Sequence, residues 1–476
     1  MIQGCTSDAG KSYIAAGFCR LYANRGIKVA PFKAQNMSNN AGVTIDGGEI
    51  GRAQLLQAQA ARVTPTVLMN PVLLKPEADA MSQVILLGKA QPQLKTIPWQ
   101  ERKKYLWETV KDSIHTMKND YDLVIIEGAG SPAEINLRSG DIVNMSVALE
   151  AQAKVLLASD IDRGGAFAHL LGTWHCLAEN EQRLIAGFLL NKFRGDPTLL
   201  GNAMDWLQEK TNIPTTGIIP MLNLPLPTED AYSHNTQIDH SKKIEVAIIR
   251  TPYMSNFDEF DALVHEPSIQ VNFVDKVSDL KHAAAVILPG SKHVSFDLAF
   301  LKKNGFAAEL HKLNTRGIQI LGVCGGMQML GKALNDPHHL EGGYTSQGLH
   351  LLDIETTLAA EKTTQQTQAT LVDSGAQVFG YEIHHGQTVA DNNAKPYLLN
   401  QQKQVIGYIQ GNVAGMYAHG LFDNAVYRQQ FLQTIGVESE SGEWSEQVDA
   451  ALDTLALHLE THCDMNAIDR AIGLID

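Results

Sequence analysis

The sequence predicts an α/β protein built from two doubly wound parallel-sheet domains. Three observations carry that prediction. Short runs of Val, Ile and Leu recur with little polar alternation, as strands covered on both faces require. Longer helical patterns alternate with them in repeated β-then-α order. The pattern lapses around Leu224–Lys243 and then resumes, so a linker separates two such units. A length of 476 residues suits two or three domains, at about 150 residues each.

In chain order, strands are expected at Ile27–Lys33, Asp122–Glu127, Lys154–Asp160, Ile185–Asn191 and Thr215–Pro220. Crossover helices are expected at Lys11–Arg25, Trp99–Asn119 and His169–Ala178. Residues 1–223 therefore form the first domain. After the linker, residues 224–243, strand signals return at Ile244–Arg250, Ile269–Val274, Ala283–Leu288 and Ile318–Val323, placing a second domain at 244–435. Within it, Ala359–Thr370 is polar and Gln/Thr-rich, the composition of an exposed loop or edge. The remainder, 436–476, is an acidic tail that turns helical at Val448–Leu459.

With 38 Lys and Arg against 52 Asp and Glu, the net charge is −14. That is the wrong sign for a phosphate backbone, so nucleic acid is not an expected partner. No apolar run approaches the roughly 20 residues that span a bilayer, and Met1-Ile2-Gln3-Gly4 lacks a basic-then-apolar signal pattern. Five cysteines scattered through a long chain imply no disulfide framework and fit a reducing cytoplasm.

Gly4-Cys5-Thr6-Ser7-Asp8-Ala9-Gly10-Lys11-Ser12 stands at a strand-to-helix junction. In such a loop, backbone N–H groups from Gly4 to Gly10, including those of Thr6, Asp8 and Ala9, cradle phosphates at the positive end of the next helix. Lys11 would neutralise phosphate charge and the Ser12 hydroxyl would reach Mg²⁺. Five residues separate the two glycines, where the commonest form of the motif has four. Only three residues precede Gly4, so the first strand is expected to be short or to continue upstream of Met1. Glu127, at the carboxyl end of its strand and followed by Gly128-Ala129-Gly130-Ser131, sits where open α/β sheets bind ligands and is a candidate Mg²⁺ ligand. Asp160-Ile161-Asp162-Arg163-Gly164-Gly165 ends the following strand alike, making Asp160, Asp162 and Arg163 candidate substrate or phosphate contacts.

In the second half, the apolar strand Ile318–Val323 runs into Cys324-Gly325-Gly326, and a helix follows. Glycines around the cysteine permit the strained turn of a nucleophile elbow, and the helix N-terminus favours thiolate. Cys324 is therefore the candidate nucleophile. Its base is His419, in Ala418-His419-Gly420 at the end of another apolar run. The oxyanion hole is expected from the Gly325 N–H and from the turn at Gly290, after Val286–Pro289. His384-His385 is a candidate pocket wall. His458 and His462 have helical spacing, but no further metal ligands stand near them.

The ordered set Gly4–Ser12, Phe32-Lys33-Ala34-Gln35-Asn36-Met37-Ser38, Asp46–Gln54, Asn70–Pro76, Glu127–Pro132, Asp160–Gly165 and Gly322–Gln328 closely resembles the cobyric acid synthase family. These are the glutamine-dependent amidotransferases of cobalamin biosynthesis. The resemblance extends to about Phe422 and implies an N-terminal synthetase domain like dethiobiotin synthetase, joined to a C-terminal class I glutamine amidotransferase domain. It implies ATP, Mg²⁺, glutamine and a corrinoid, with amidation of the b, d, e and g carboxylates of adenosylcobyrinic acid a,c-diamide. It also implies that Cys324 is the nucleophile with His419 as base, that Gly4–Ser12 binds ATP, and that Ser12, Glu127 and Asp46 surround Mg²⁺. Lys33 and Gln35 become candidate substrate contacts. Two departures stand out. Cys5 occupies a position where Thr is expected, and Leu421 stands where many class I glutaminases carry a Glu two residues after the histidine. The third member of the Cys/His site is thus unassigned.

Two rival readings remain at this level. One is a cobyrinic acid a,c-diamide synthase or related amidotransferase. The other is a phosphate-loop ATPase switch carrying an inactive glutaminase-like module, which would have no need of Cys324 and His419 together.

Overall fold

The computed structural model describes residues 1–78, 81–227, 244–343 and 345–476. Most of the expected linker, 228–243, lies outside the described residues. In the first domain, strands Ile2–Gly4, Val155–Asp160, Ile185–Phe193 and Thr215–Pro220 run parallel in that order. The parallel pair Val29–Phe32 and Leu123–Ile126 continues the sheet through a bridge between Ile2 and Glu127. Every strand thus ends on one edge, and the phosphate loop, Glu127 and Asp160 all lie along it.

Helices Lys11–Asn24, Trp99–Asp120 and Ala166–Cys176 supply crossovers. Two small antiparallel additions have no counterpart in the expected elements. One is a sheet of Val72–Ala78, Met81–Leu86 and Lys89–Ala90 beside Gln35–Met37. The other is the hairpin Ala41–Val43 with Glu49–Gly51.

The second domain holds a mixed sheet of 11 strands. Its parallel core, Gln270–Val274, Glu245–Ile249, Ala283–Leu288, Gln319–Val323 and Val413–Met416, is extended by antiparallel strands Val405–Gln410, Lys395–Asn400 and Ile354–Leu371. The segment Ala359–Thr370 is therefore not a loop. It lies inside Ile354–Leu371 and pairs with Gln377–Ala390 in a long hairpin. Its threonines suit a pleated surface, and Thr367, Ala369 and Leu371 turn one buried face inward.

The acidic tail is not a free appendage either. Helix Trp444–His462 packs on Lys11–Asn24. Leu455 and Leu459 press so closely on Gly17 that any side chain there would collide with them. Arg20, fully buried, pairs with Asp449, and Tyr22 donates to Asp469 at 2.8 Å. His458 bonds the Pro220 carbonyl at 3.0 Å and His462 the His458 carbonyl at 2.8 Å, the arrangement of a packed helix rather than a metal site. One apolar core consequently runs through both halves, joining Ile14 and Phe18 to Leu455 and Val246.

Candidate active site

The phosphate loop is shaped by backbone that only certain residues tolerate. Gly10 is left-handed at φ 89°, and a Cβ there would strike the Asn191 side-chain amide. That amide holds the loop from beneath by donating to the Ala9 carbonyl at 2.8 Å, while Lys192 donates to the Asp8 carbonyl at 2.7 Å. Strand Ile2–Gly4 leads in, and helix Lys11–Asn24 leads out with its first N–H groups facing the loop. Lys11 Nζ lies 3.3 Å from the Thr6 carbonyl, spanning the concavity a phosphate would fill.

Beside the loop, the buried Glu127 carboxylate collects three donors. Ser12 Oγ and Lys33 Nζ reach Oε1 at 2.8 and 2.9 Å, and Gln57 Nε2 reaches Oε2 at 2.5 Å. A hydroxyl and a carboxylate oxygen brought to one point fit a hard divalent cation that takes its other ligands from phosphates and water. No cluster of three His, Cys, Asp or Glu side chains suited to a metal occurs among the described residues.

Two expected contacts fall elsewhere. Asp46 is exposed at the turn of the Ala41–Gly51 hairpin, where its carboxylate accepts from the Thr44 hydroxyl and touches neither Ser12 nor Glu127. Lys33 is buried as the counter-ion of Glu127. Its ammonium is drawn to that carboxylate because an isolated charge cannot be buried cheaply.

Gln35 borders a cavity of about 340 Å³ with Met37, Ser131, Asp141 and Asn144, next to the glycine-rich turn that follows Glu127. Asp160 is buried and held by Lys192 at 3.0 Å and Arg163 at 3.5 Å. Arg163 also reaches Asp8 at 3.0 Å, and Asp162 pairs with Arg194 at 2.9 Å. These groups therefore brace the rim of the phosphate loop, with Arg163 and Asp162 facing solvent.

In the second domain, Cys324 adopts φ 49° and ψ −106° between strand Gln319–Val323 and helix Gly325–Leu330. This is a backbone conformation that residues with side chains rarely adopt. The turn closes because Gly326 packs onto the Leu288 carbonyl, leaving no room for a Cβ. A Cβ on Gly325 would meet the Ser291 backbone nitrogen at 2.9 Å, and one on Gly290 would meet His419 Cε1 at 3.1 Å. The Gly290-Ser291 strand, the first turn of the cysteine's helix and the His419 ring thus meet around the thiol. Cys324 Sγ donates to the Ile383 carbonyl at 3.7 Å and lies near enough to the His419 ring to act on it electrostatically.

The unassigned partner of His419 is Glu259. Its Oε1 accepts from His419 Nδ1 at 3.0 Å, and its Oε2 accepts from the Gly420 N–H at 3.2 Å. Glu259 stands in the turn Phe257–Phe260, 160 residues before the histidine. Leu421, at the position where a carboxylate is common, is buried in the core instead. Burial alone would lower the His419 pKa. The carboxylate of Glu259 and the charge on Cys324 outweigh it and lift the imidazole to about 10. The imidazole is accordingly held as imidazolium near neutral pH.

The sequence held one unused signal for Glu259: Asp258, Glu259 and Asp261 are interleaved with Phe257 and Phe260, and acids inside an apolar run need a buried partner. His384 bonds Glu382 at 3.1 Å and stacks on Tyr417, and His385 bonds the Ala359 carbonyl at 3.0 Å. Both stay on the hairpin, outside the Cys324–His419–Glu259 relay.

No helix among the described residues is long and apolar enough to cross a membrane. Residues 1–224 match the family of CobQ/CobB/MinD/ParA nucleotide binding domains, and residues 245–427 match the CobB/CobQ-like glutamine amidotransferase domains. A cobyric acid synthase from Deinococcus radiodurans is 50% identical over 476 residues, covering 97% of this chain and 98% of its own. Those from Acidovorax sp. and Synechococcus elongatus are 44% and 42% identical, covering 98% and 99% of this chain and 97% and 99% of their own. A nucleotide-binding domain and a glutamine amidotransferase domain in one chain, matched end to end by these relatives, establish that the chain belongs to the cobyric acid synthase family, the glutamine-dependent amide ligases of cobalamin biosynthesis.

Proposed function

We propose that the chain amidates the b, d, e and g carboxylates of adenosylcobyrinic acid a,c-diamide, with ATP activating each carboxylate and glutamine supplying ammonia. The observation that carries this reading is the coexistence of a shaped phosphate loop and a Cys324–His419–Glu259 relay in one molecule. A carboxylate is a poor electrophile. Transfer of the ATP γ-phosphoryl group to its oxygen gives an acyl phosphate and ADP, and attack by ammonia then forms the amide and expels phosphate.

In the first domain, the loop from Gly4 to Ser12 binds the phosphates through backbone N–H groups, and Lys11 neutralises them. Ser12 and Glu127 would hold Mg²⁺, which when bound offsets phosphate charge. The cavity beside Gln35 lies where the acyl group would approach.

In the second domain, Cys324 Sγ attacks the glutamine amide carbon. The oxyanion that forms lies against the Gly325 N–H and the Gly290-Ser291 strand. Imidazolium His419 protonates the departing nitrogen, releasing ammonia and leaving a thioester, which water hydrolyses to glutamate with His419 now acting as base. Glu259 fixes the ring and its tautomer. Ammonia is mostly protonated near neutral pH, so a local supply raises the reactive form. The relatives' names favour this product over the a,c-diamide of the rival synthase.

The test is a mass spectrum of the corrinoid after incubation with ATP, Mg²⁺ and glutamine. Four successive amidations are expected. The Cys324→Ala variant should lose them with glutamine and keep them with ammonium at high pH. Amidation by neither nitrogen source in the wild type, or loss of both in a folded variant, would overturn the reading.

A further inference from the structure

One small element of the nucleotide-binding domain touches three of the segments that pack around His419. It is the hairpin Ala41–Gly51 with the first turn of helix Arg52–Ala60. The Ala41 N–H donates to Asn256 Oδ1 at 3.2 Å, immediately before the turn that carries Glu259. The Gln366 side chain donates to the Val43 carbonyl at 3.0 Å, and Lys362 pairs with the buried Glu49. Ala41 and Val43 pack with Tyr381 and Ile383 in one apolar cluster. Tyr381 in turn exchanges backbone hydrogen bonds with His419, at 2.8 and 3.2 Å.

Arg52 completes this contact. Its Nε lies 2.7 Å from Asp258 Oδ2, and its Nη2 lies 3.6 Å from Asp423 Oδ2. Asp258 adjoins Glu259 in the turn Phe257–Phe260, and Asp423 closes the turn Leu421–Asp423 that follows His419 and Gly420. One guanidinium therefore ties together the two turns whose other members are the carboxylate and the imidazole of the relay. Neither carboxylate oxygen of Asp258 has a well-directed hydrogen bond among the described residues, and Arg52 is the largest influence favouring its charged form. Without it, two carboxylates would be left crowded behind Glu259.

We infer that Arg52, a residue of the nucleotide-binding domain, is a positioning residue for glutamine hydrolysis: its ion pairs with Asp258 and Asp423 hold Glu259 against His419. The inference rests on the glutaminase reading of Cys324 and His419 above. It means that the two domains share a catalytic support, so the glutaminase centre is incomplete without the domain that consumes its ammonia.

The electrostatics agree with the geometry. Burial lifts the carboxyl of Asp258 to about 6 and that of Asp423 to about 7, while Arg52 opposes the rise in both. The other titratable groups facing the clamp are Glu259 and Asp261 from the same turn, Tyr381 from the long hairpin, His419 and, beside Asp261, Tyr13 from the phosphate-loop helix.

The experiment compares Arg52→Gln, Arg52→Lys, Asp258→Asn and the double variant Arg52→Gln/Asp258→Asn in the full chain. It reads glutaminase kcat and KM, alkylation of Cys324 followed by peptide mass across pH, and Tm. Arg52→Gln should lower kcat by about 10- to 100-fold, the usual scale for loss of a group that orients a functional side chain. KM for glutamine should stay within about twofold, and Cys324 alkylation near pH 7 should slow because the imidazolium is less well held. Arg52→Lys should fall between, and the double variant should recover most of the loss, since a neutral amide needs no counter-ion. Wild-type kcat and alkylation in Arg52→Gln would overturn the inference. So would a double variant no faster than Arg52→Gln with an unchanged Tm. Cys324→Ala is run alongside. If it retains glutaminase activity, the underlying reading fails. If it is dead and Arg52→Gln is unaltered, only the present inference does.

Discussion

Cys324 and His419 could be picked out because each sits in a local context that explains it. The strained φ of 49° at Cys324 is tolerated between glycines, and the helix that begins at Gly325 directs N–H groups at the thiol. Glu259 acts through His419, and its removal has a signed consequence. The folded imidazole titrates near 10 against an ordinary 6.5. A raised pKa means that the charged ring stabilises the fold fully below about 6.5, and that this contribution disappears as pH rises through about 10. Glu259→Gln keeps a hydrogen bond but removes the charge, so the His419 pKa falls. We expect the basic limb of the glutaminase pH–rate profile to move to lower pH, and kcat to drop by roughly two to four orders of magnitude, the upper end being that of a triad carboxylate replaced by its amide. Steady-state rates between pH 6 and 10 check this. An unmoved basic limb would show that Glu259 does not set the imidazole.

Among the elements, the helices Lys11–Asn24 and Trp444–His462 show how a tail becomes structure. The first carries Lys11 and Ser12 at one end and presents Gly17 on the face that receives Leu455 and Leu459. Gly17→Val should collide with both leucines. Overpacking of this kind costs about 1–3 kcal/mol, read as a lower Tm and earlier proteolysis in the C-terminal helix. The exposed ion pairs along this contact, such as Arg25–Glu460, are each worth less than about 1 kcal/mol, so apolar packing decides the docking. An unchanged Tm and digestion pattern would assign the contact little weight.

For the whole molecule, the issue is how two reaction centres divide the work. Lys11 opens the helix Lys11–Asn24 with its ammonium 3.3 Å from the Thr6 carbonyl, and alanine is the best helix former, so Lys11→Ala should leave the fold intact. Amidation should then fall by at least 10²-fold with either glutamine or ammonium, because no acyl phosphate can form. Hydrolysis of glutamine should persist, since the relay is complete in the other domain together with Arg52. Near-normal ammonium-dependent amidation would mean that the phosphate loop is not the ATP site.

What the sequence determined by itself was whatever depends on near neighbours along the chain. The parallel strands appear in their apolar runs, the phosphate loop in Gly10-Lys11-Ser12, and the elbow in Val323-Cys324-Gly325-Gly326. Tertiary structure alone decided the rest. The segment Ala359–Thr370 reads as an exposed loop or edge until the partner of its strand is known, because sheet hydrogen bonds come from another segment. Lys33 looks available to a substrate until burial binds it to Glu127. Glu259 and Arg52 lie far from His419 in sequence. Packing alone brings the Glu259 carboxylate to the His419 ring and Arg52 to Asp258, each within about 3 Å, and no local pattern in the chain records those distances.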